Sequence, residues 1–278
     1  RAHSQIVVTP QLEKRALMTI SKTQLEILCR IAECAGREIL TVYGCASEVT
    51  FKDDASPVTE ADLRADRVIN EELNRHFPGT FIQSEEHAVF HSADVECFFL
   101  VDPLDGTKEF LNRNGEFTVN IALVEDGVPT AGIVFAPALD ELFYAAHGLG
   151  TWKRDQDGVR QISSKSTNSS QPLRVLSSRS HSSNRLNNWL NRFEIDYSIE
   201  PLGSSLKFCR IAEGRADIYP RFGATSQWDT AAAHVILELA GGAVTDLRGH
   251  PLRYGLKKSV RNPEFIAVGD PVTLLYYL

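Results

Sequence analysis

Residues 102–110 read DPLDGTKEF and follow an apolar run that ends at Val101. Two carboxylates, a glycine, a hydroxyl and a lysine therefore leave one strand end together. Pro103 holds its own φ near about −65° and bends the chain, so Asp102 and Asp105 can point at one locus. Two anions held that close repel, and an Mg²⁺-type cation taking oxygen ligands is their natural partner. Gly106 and Thr107 then offer backbone N–H groups at a candidate helix start, where phosphate binds well. Taken alone, the segment also reads as a surface turn with Asp105 as a helix N-cap, and the rest of the chain decides between the two.

Nearby segments repeat the pattern. Short apolar runs at 80–83 and 97–101 are each followed by acids, Glu85-Glu86 and Asp102, so two strands deliver carboxylates from their ends to one shared site. Upstream, Leu25, Leu28, Ile31, Ala35, Ile39 and Val42 recur every three or four residues and predict an amphipathic helix from Thr23 to about Tyr43, closed by Gly44. A second helix follows SPVT (56–59), with Ala61, Ala65, Val68 or Ile69, Leu73 and Phe77 on one face and Pro78-Gly79 as its stop. Thr59 and Asp62 at its start resemble a capping box with Asp in place of Glu.

Downstream, apolar stretches at 117–124, 130–135 and 141–146 read as strands, with Asp126-Gly127 as a hairpin turn. The first half thus predicts helices packed on a mostly antiparallel sheet. Residues 154–172, rich in Ser, Asp and Gln, predict a boundary or long surface loop that divides the chain into halves at 18–153 and 154–278. Beyond it lie a predicted strand at 173–177, helices near 182–193 and 204–213, a strand at 216–220, a helix at 229–240 before Gly241-Gly242, and strands near 243–246 and 264–268. Alternating strands and helices predict an α/β second half.

At 278 residues, with 43% hydrophobic and 23% charged residues, the chain has room for one large core or two small ones. A net charge of −7 argues against a nucleic-acid polymer or a lipid surface as general partner, since both call for a basic footprint. No window approaches the roughly 20 apolar residues of an integral membrane segment, and no basic-then-apolar signal peptide opens the chain. Cys29, Cys34, Cys45, Cys97 and Cys209 form no C-x-x-C and predict buried thiols of a reducing cytosol. A cytoplasmic location follows, with peripheral contact to the cytoplasmic side of the inner membrane left open. Residues 1–17 precede Met18, the one methionine, and show neither periodicity nor motif, which predicts a native start at Met18 and an upstream extension before it. Histidine and cysteine spacings do not form a zinc site, and there is no Walker A or G-x-G-x-x-G sequence.

Four acidic or phosphate-like pieces now stand in order: Glu85-Glu86, DPLDGT (102–107), GSSLK (203–207) and WDTAAAH (228–234). Together they resemble the lithium-sensitive, magnesium-dependent phosphatases of the inositol monophosphatase superfamily, whose signatures are D-P-[IL]-D-G-T and W-D-x-A-A. SPVTEAD (56–62), VDPLDGTKEFLNRNGEFTVNIALVEDGVP (101–129), SRSH (178–181), GSSLKFC (203–209) and YPRFG (219–223) extend the resemblance toward its CysQ-type 3′(2′),5′-bisphosphate nucleotidase branch, over about residues 20–270.

The resemblance implies a layered α-β-α-β-α sandwich with the site between its two halves. It implies that Glu85, Asp102, Asp105, Asp229 and the carbonyl oxygen of Leu104 hold two or three Mg²⁺ ions, with Asp102 bridging two. Thr107, bonded to Asp62, would orient and deprotonate the attacking water together with Glu85, a role for Asp62 that competes with helix capping. Gly106, Thr107, Lys108 and Asp229 would meet the scissile phosphate, while His181, Ser204, Lys207 and Arg221 would line the nucleotide end and pair a second phosphate. Ser204 and Lys207 stand three apart at a predicted helix start and so share a face. The local alternatives are that His181 caps the helix beginning near Ser182 and that Lys207 is a solvated helix charge. Glu86 reads as outer or structural, and Trp228 as packing beside the site.

The implied reaction is hydrolysis of the 3′-phosphate of adenosine 3′,5′-bisphosphate to AMP and phosphate in sulfate assimilation, with its sulfated relative as a further substrate. Inhibition by Li⁺ and Ca²⁺ is implied as well, and the partner is this small molecule, acted on by a monomer or a homodimer. Two alternatives are a phosphatase for inositol phosphates or fructose bisphosphate, and a non-catalytic regulatory protein on the same fold.

Overall fold

The computed structural model describes residues 20–44, 49–51, 57–87, 95–164, 171–180, 184–256 and 259–278. In chain order its elements are α1 (Lys22–Tyr43), β1 (Val49–Phe51), β2 (Pro57–Thr59), α2 (Glu60–His76), β3 (Phe81–Ser84), β4 (Cys97–Asp105), α3 (Thr107–Leu111), β5 (Thr118–Glu125), β6 (Val128–Ala136), β7 (Glu141–Ala146), β8 (Gly150–Asp155), β9 (Gly158–Gln161), β10 (Leu173–Ser178), α4 (Asn184–Leu190), β11 (Tyr197–Leu202), α5 (Leu206–Ala212), β12 (Ile218–Arg221), α6 (Ala231–Leu239), β13 (Ala243–Asp246), β14 (Phe265–Val268) and α7 (Leu274–Tyr277). The predicted extension at 1–17 lies outside the described residues.

Local signals set the helix ends. Ser21 caps α1 in a capping box with Gln24, and Gly44 closes it. Thr59 and Asp62 form the predicted box on α2, whose buried face carries Ala61, Ala65, Ile69 and Leu73, with Ile69 rather than Val68 turned inward. Asp126 and Gly127 turn the β5–β6 hairpin, both with positive φ.

Seven strands form the first sheet in the order β3-β4-β5-β6-β7-β8-β9, and every neighbouring pair but β3–β4 is antiparallel. Alternate residues go to opposite cores: Phe99, Val101, Ile121 and Leu123 pack with α1 and α2, whereas Phe98, Leu100, Ala122 and Val124 pack with α5 and α6. Both faces are covered, which is why these strands read as continuous apolar runs. The second sheet has the order β11-β10-β12-β14-β13, with parallel pairs around β10 and antiparallel pairs around β14. Its Phe265 and Ala267 join the α5–α6 core, while Ile266 and Val268 pack with Trp189 and Leu190 of α4. Helices, sheet, helices, sheet and helix thus follow one another as layers.

The central layer explains its own composition. α6 buries Ala231 through Leu237 without a break, as a helix between two sheets must. Gly132 of β6 lets it sit flush, since a Cβ there would lie 2.3 Å from the Ala232 carbonyl oxygen. α5 is tied to the first sheet by buried charges: Lys153 Nζ lies 2.7 Å from Glu141 and 2.9 Å from Glu213, and Arg210 lies 2.5 Å from Glu141 and 2.7 Å from Glu213.

Three expectations change. The predicted loop at 154–172 is shortened, because β8 and β9 form a hairpin that carries the first sheet to Gln161. Its Asp and Gln residues at 155–161 belong to this hairpin, whose outer strand is exposed. β11 escapes the sequence reading because it is also an exposed edge strand, and Pro201 is tolerated there for that reason. Cys29 and Cys209 are buried thiols, whereas Cys34 and Cys97 are half-buried and Cys45 lies outside the described residues.

Candidate active site

β3 and β4 run parallel with Ser84 beside Val101, so the next residues, Glu85 and Asp102, leave neighbouring strand ends side by side. Pairing with β5 then slips: Asp102 faces Asn120, but Asp105 faces Thr118, leaving one extra residue in β4. Such a bulge redirects side chains, and Pro103 fits it because the unpaired position needs no donor. The Leu104 N–H turns back to Asp102 Oδ1 at 3.1 Å. Asp229 reaches the same place from the short 3₁₀ turn before α6, where its Oδ2 accepts the Ser226 N–H at 2.8 Å. Carboxylate oxygens of Glu85, Asp102 and Asp229 lie within 4.8 Å of one another.

These acids line one cleft of about 450 Å³, together with Leu104, Asp105, Gly106, Thr107, Lys108, Ser204, Lys207, Trp228 and Arg221. Burial, then Glu85, Asp105, Asp229 and Asp62, hold the Asp102 carboxyl well above the ordinary carboxylate range. Burial and Asp105 do the same to Asp229. Asp105 is pushed up to about 6 by burial, opposed by Lys207 and by bonds from Ser205 and Asn120. Among the described residues no basic side chain forms an ion pair with Asp102. Clustered hard oxygens that repel in this way fit a small divalent cation with oxygen ligands.

Asp62 caps α2 with one carboxylate oxygen and turns the other toward Thr107. Its Oδ2 accepts the Thr59 N–H at 2.7 Å and the Thr59 hydroxyl at 2.6 Å, completing the cap. Its Oδ1 accepts from Thr107 Oγ1 across a long 3.4 Å, and the Leu104 carbonyl oxygen stands 3.5 Å from the same hydroxyl. Gly106, between them, has φ +91°, and a Cβ there would crowd the Glu116 carbonyl oxygen at 3.2 Å.

The cationic residues are disposed differently from one another. Lys108 is exposed at the cleft. Ser204 precedes α5 with φ +46° instead of sharing its helical face with Lys207. Lys207 is no solvated helix charge: it is 5% exposed, and its ammonium donates to the carbonyl oxygens of Ser204 at 2.5 Å and Leu202 at 3.0 Å. Burial lowers its pKa to about 8 against the pull of Asp105. Arg221 is 8% exposed; Nη2 donates to Ala224 at 3.0 Å, and its buried Nε has no hydrogen-bond partner. Such a stranded donor calls for an acceptor. His181 lies outside the described residues. Glu86 is half-buried beside Glu85, and Trp228 is buried at the cleft wall.

Sequence reasoning missed the groups that hold Asp105. Its Oδ2 accepts the Ser205 N–H at 2.6 Å and Asn120 Nδ2 at 3.3 Å, while Ser205 Oγ donates to Asn120 Oδ1 at 2.8 Å and meets Thr118 Oγ1 at 2.9 Å. An asparagine inside the apolar strand TVNIALVE was the available signal. Arg261, also on the cleft, carried no signal at all.

Residues 21–269 match the inositol monophosphatase family. The chain is 44% identical over 245 residues to the 3′(2′),5′-bisphosphate nucleotidase CysQ of Salmonella typhimurium, covering 87% of this chain and 98% of that protein. It is 35% identical over 258 residues to the CysQ of Haemophilus influenzae, covering 91% and 96%. Its fold is similar to the crystal structure of CysQ from Bacteroides thetaiotaomicron, with a TM-score of 0.78 at 33% identity over 89% of this chain and 97% of that one. A Thermotoga maritima IMPase superposes with a TM-score of 0.75 at 27% identity, over 90% and 93%. The family match spans both sheets and takes in Glu85, Asp102, Asp105 and Asp229 together, so the chain belongs to the inositol monophosphatase family.

Proposed function

We propose that this protein is a Mg²⁺-dependent 3′(2′),5′-bisphosphate nucleotidase that removes the 3′-phosphate of adenosine 3′,5′-bisphosphate, giving AMP and phosphate in sulfate assimilation. One observation carries the choice of substrate. The cleft that gathers the carboxylate cluster is also lined by the cations Lys108, Lys207 and Arg221, so a ligand with a second anionic group suits it. An inositol monophosphate offers no such group.

Glu85, Asp102, Asp105, Asp229 and the Leu104 carbonyl oxygen are the groups that would hold two or three Mg²⁺ ions. Bound Mg²⁺ supplies a Lewis acid that lowers the pKa of water and neutralises phosphoryl charge. The chain's own residues do the rest. Thr107 Oγ1 donates to Asp62 Oδ1, leaving its lone pairs to accept a proton from the attacking water. Glu85 accepts the water's other hydrogen bond and so fixes its direction. As the new P–O bond forms and the bond to the 3′ oxygen breaks, the water's proton passes through Thr107 to Asp62. The leaving oxygen is protonated from solvent. Asp62 can take the proton without losing the helix, because its second oxygen keeps the cap. Lys108 and the backbone donors at Gly106 and Thr107 meet the scissile phosphate, while Arg221, Lys207 and Ser204 set the second phosphate.

The reading extends to inhibition by Li⁺ and Ca²⁺, and to activity on the sulfated relative. The test is a side-by-side assay of adenosine 3′,5′-bisphosphate and inositol 1-phosphate over a Mg²⁺ titration. Preference for the bisphosphate by kcat/KM is expected; preference for the inositol phosphate, or no turnover of either, would overturn the proposal.

A further inference from the structure

We infer that Asp66 is a positioning residue that aims Glu85 into the carboxylate cluster by gripping the chain on both sides of it. This rests on the reading above that the cluster holds a divalent cation. Asp66 lies one turn after Asp62 on α2 and is 2% exposed, within a face that otherwise buries Ala61, Ala65, Ile69 and Leu73. A carboxylate is retained at such a place only with donors to satisfy it. It has three. Oδ1 accepts from Ser84 Oγ at 2.5 Å and from Asn70 Nδ2 at 2.9 Å, and Oδ2 stands 2.8 Å from His87 Nδ1.

Two of those donors bracket Glu85. Ser84 is the last residue of β3, and His87 closes the 3₁₀ turn Glu85–His87. Ser84 Oγ also accepts the Glu86 N–H at 3.4 Å, so the hydroxyl held by Asp66 reaches into the turn itself. The need for a grip is electrostatic: Glu85 oxygens stand within 4.8 Å of those of Asp102 and Asp229, and like charges push the turn outward. α2 thus carries two acids with parallel tasks, Asp62 holding Thr107 and Asp66 holding the Glu85 turn. Groups that orient ligands in this way typically set metal affinity by about 10–100-fold.

The test is calorimetric titration of the whole protein with Mn²⁺ and Mg²⁺, alongside steady-state kinetics at saturating metal. Asp66→Ala should weaken metal binding by roughly 10–100-fold and leave the substrate KM at saturating metal unchanged. Asp66→Asn should recover most of the affinity, because its oxygen can still accept from Ser84 and its amide can donate to His87 in the other tautomer. Asn70→Ala removes the third bond, which is internal to α2, and should leave metal affinity at the wild-type value. Wild-type affinity in a folded Asp66→Ala protein overturns the inference, as does an equal loss in Asn70→Ala. If Asp66→Ala does not fold, Ser84→Ala and His87→Ala replace it, and unchanged affinity in both overturns it. Failure of the underlying reading has its own signature, a wild-type metal isotherm indifferent to Asp102→Asn, which overturns both.

Discussion

Asp102→Asn should make the metal-free protein more stable while it ends catalysis. Asparagine keeps the oxygen that accepts the Leu104 N–H and the volume of a side chain that is 2% exposed, so packing is preserved. What changes is charge. Neighbouring carboxylate oxygens lie within 4.8 Å, and at an effective dielectric constant of about 20 a fully ionised pair at that separation repels by about 3.5 kcal/mol. Burial and the surrounding acids already hold Asp102 well above the ordinary carboxylate range, so the cluster carries less than its full charge. The realised gain is then on the order of 1–2 kcal/mol, or about 2–8 °C in Tm for a protein of this size. Mg²⁺ should act in the opposite sense, since at a hundred times its Kd a ligand adds about 2.7 kcal/mol to the native state it binds. Thermal melts of both proteins in EDTA and in saturating Mg²⁺ should therefore cross, with the variant melting higher in EDTA and the wild type higher in Mg²⁺. Turnover of adenosine 3′,5′-bisphosphate should be lost. A variant with near-normal kcat at saturating Mg²⁺, or one that melts below wild type in EDTA, would refute the reasoning.

Other consequences can be tested separately. Arg221→Ala should raise KM for adenosine 3′,5′-bisphosphate about 10–100-fold, the equivalent of one charge-assisted contact, and leave kcat/KM for adenosine 3′-monophosphate unchanged; equal losses would show that Arg221 does not read the second phosphate. Asp105, with its carboxyl pushed up from 3.8 to about 6, keeps its proton in the native state where the unfolded chain has lost it. Its contribution therefore makes metal-free stability fall as pH rises from about 4 to about 6 and level off above, and Asp105→Asn should flatten that part of a Tm profile taken in EDTA. Gly132→Ala would place a Cβ 2.3 Å from the Ala232 carbonyl oxygen, and the resulting overpacking should cost about 1–3 kcal/mol in chemical denaturation.

Much of the molecule is legible along the chain because it depends on neighbours in sequence. The Thr59–Asp62 capping box, the Asp126-Gly127 turn and the continuous runs of the buried strands are local signals, and they lie where the spacing predicts. DPLDGT announces itself because two acids, a proline and a glycine cannot continue a strand quietly, and the β4 bulge is the geometry they produce. The exposed edges β9 and β11 were illegible for the same reason in reverse: with little to bury, they carry no apolar pattern.

Tertiary structure alone decided which of these acids meet. Glu85 and Asp102 are brought together by the parallel register of β3 and β4, and Asp229 arrives only because α6 is pressed between the two sheets. The same packing turns Lys207 inward onto carbonyl oxygens, strands the Arg221 Nε, and lets Ser205 at the start of α5 join Asn120 of the neighbouring strand β5 in holding Asp105. Sequence by itself determined the chemical vocabulary of the site, its carboxylates, hydroxyls and phosphate-suited turns, since residue type and local backbone preference are written in the chain. Distances between groups a hundred residues apart are not, because they depend on how the layers stack, and charge repulsion and burial take their strength from those distances.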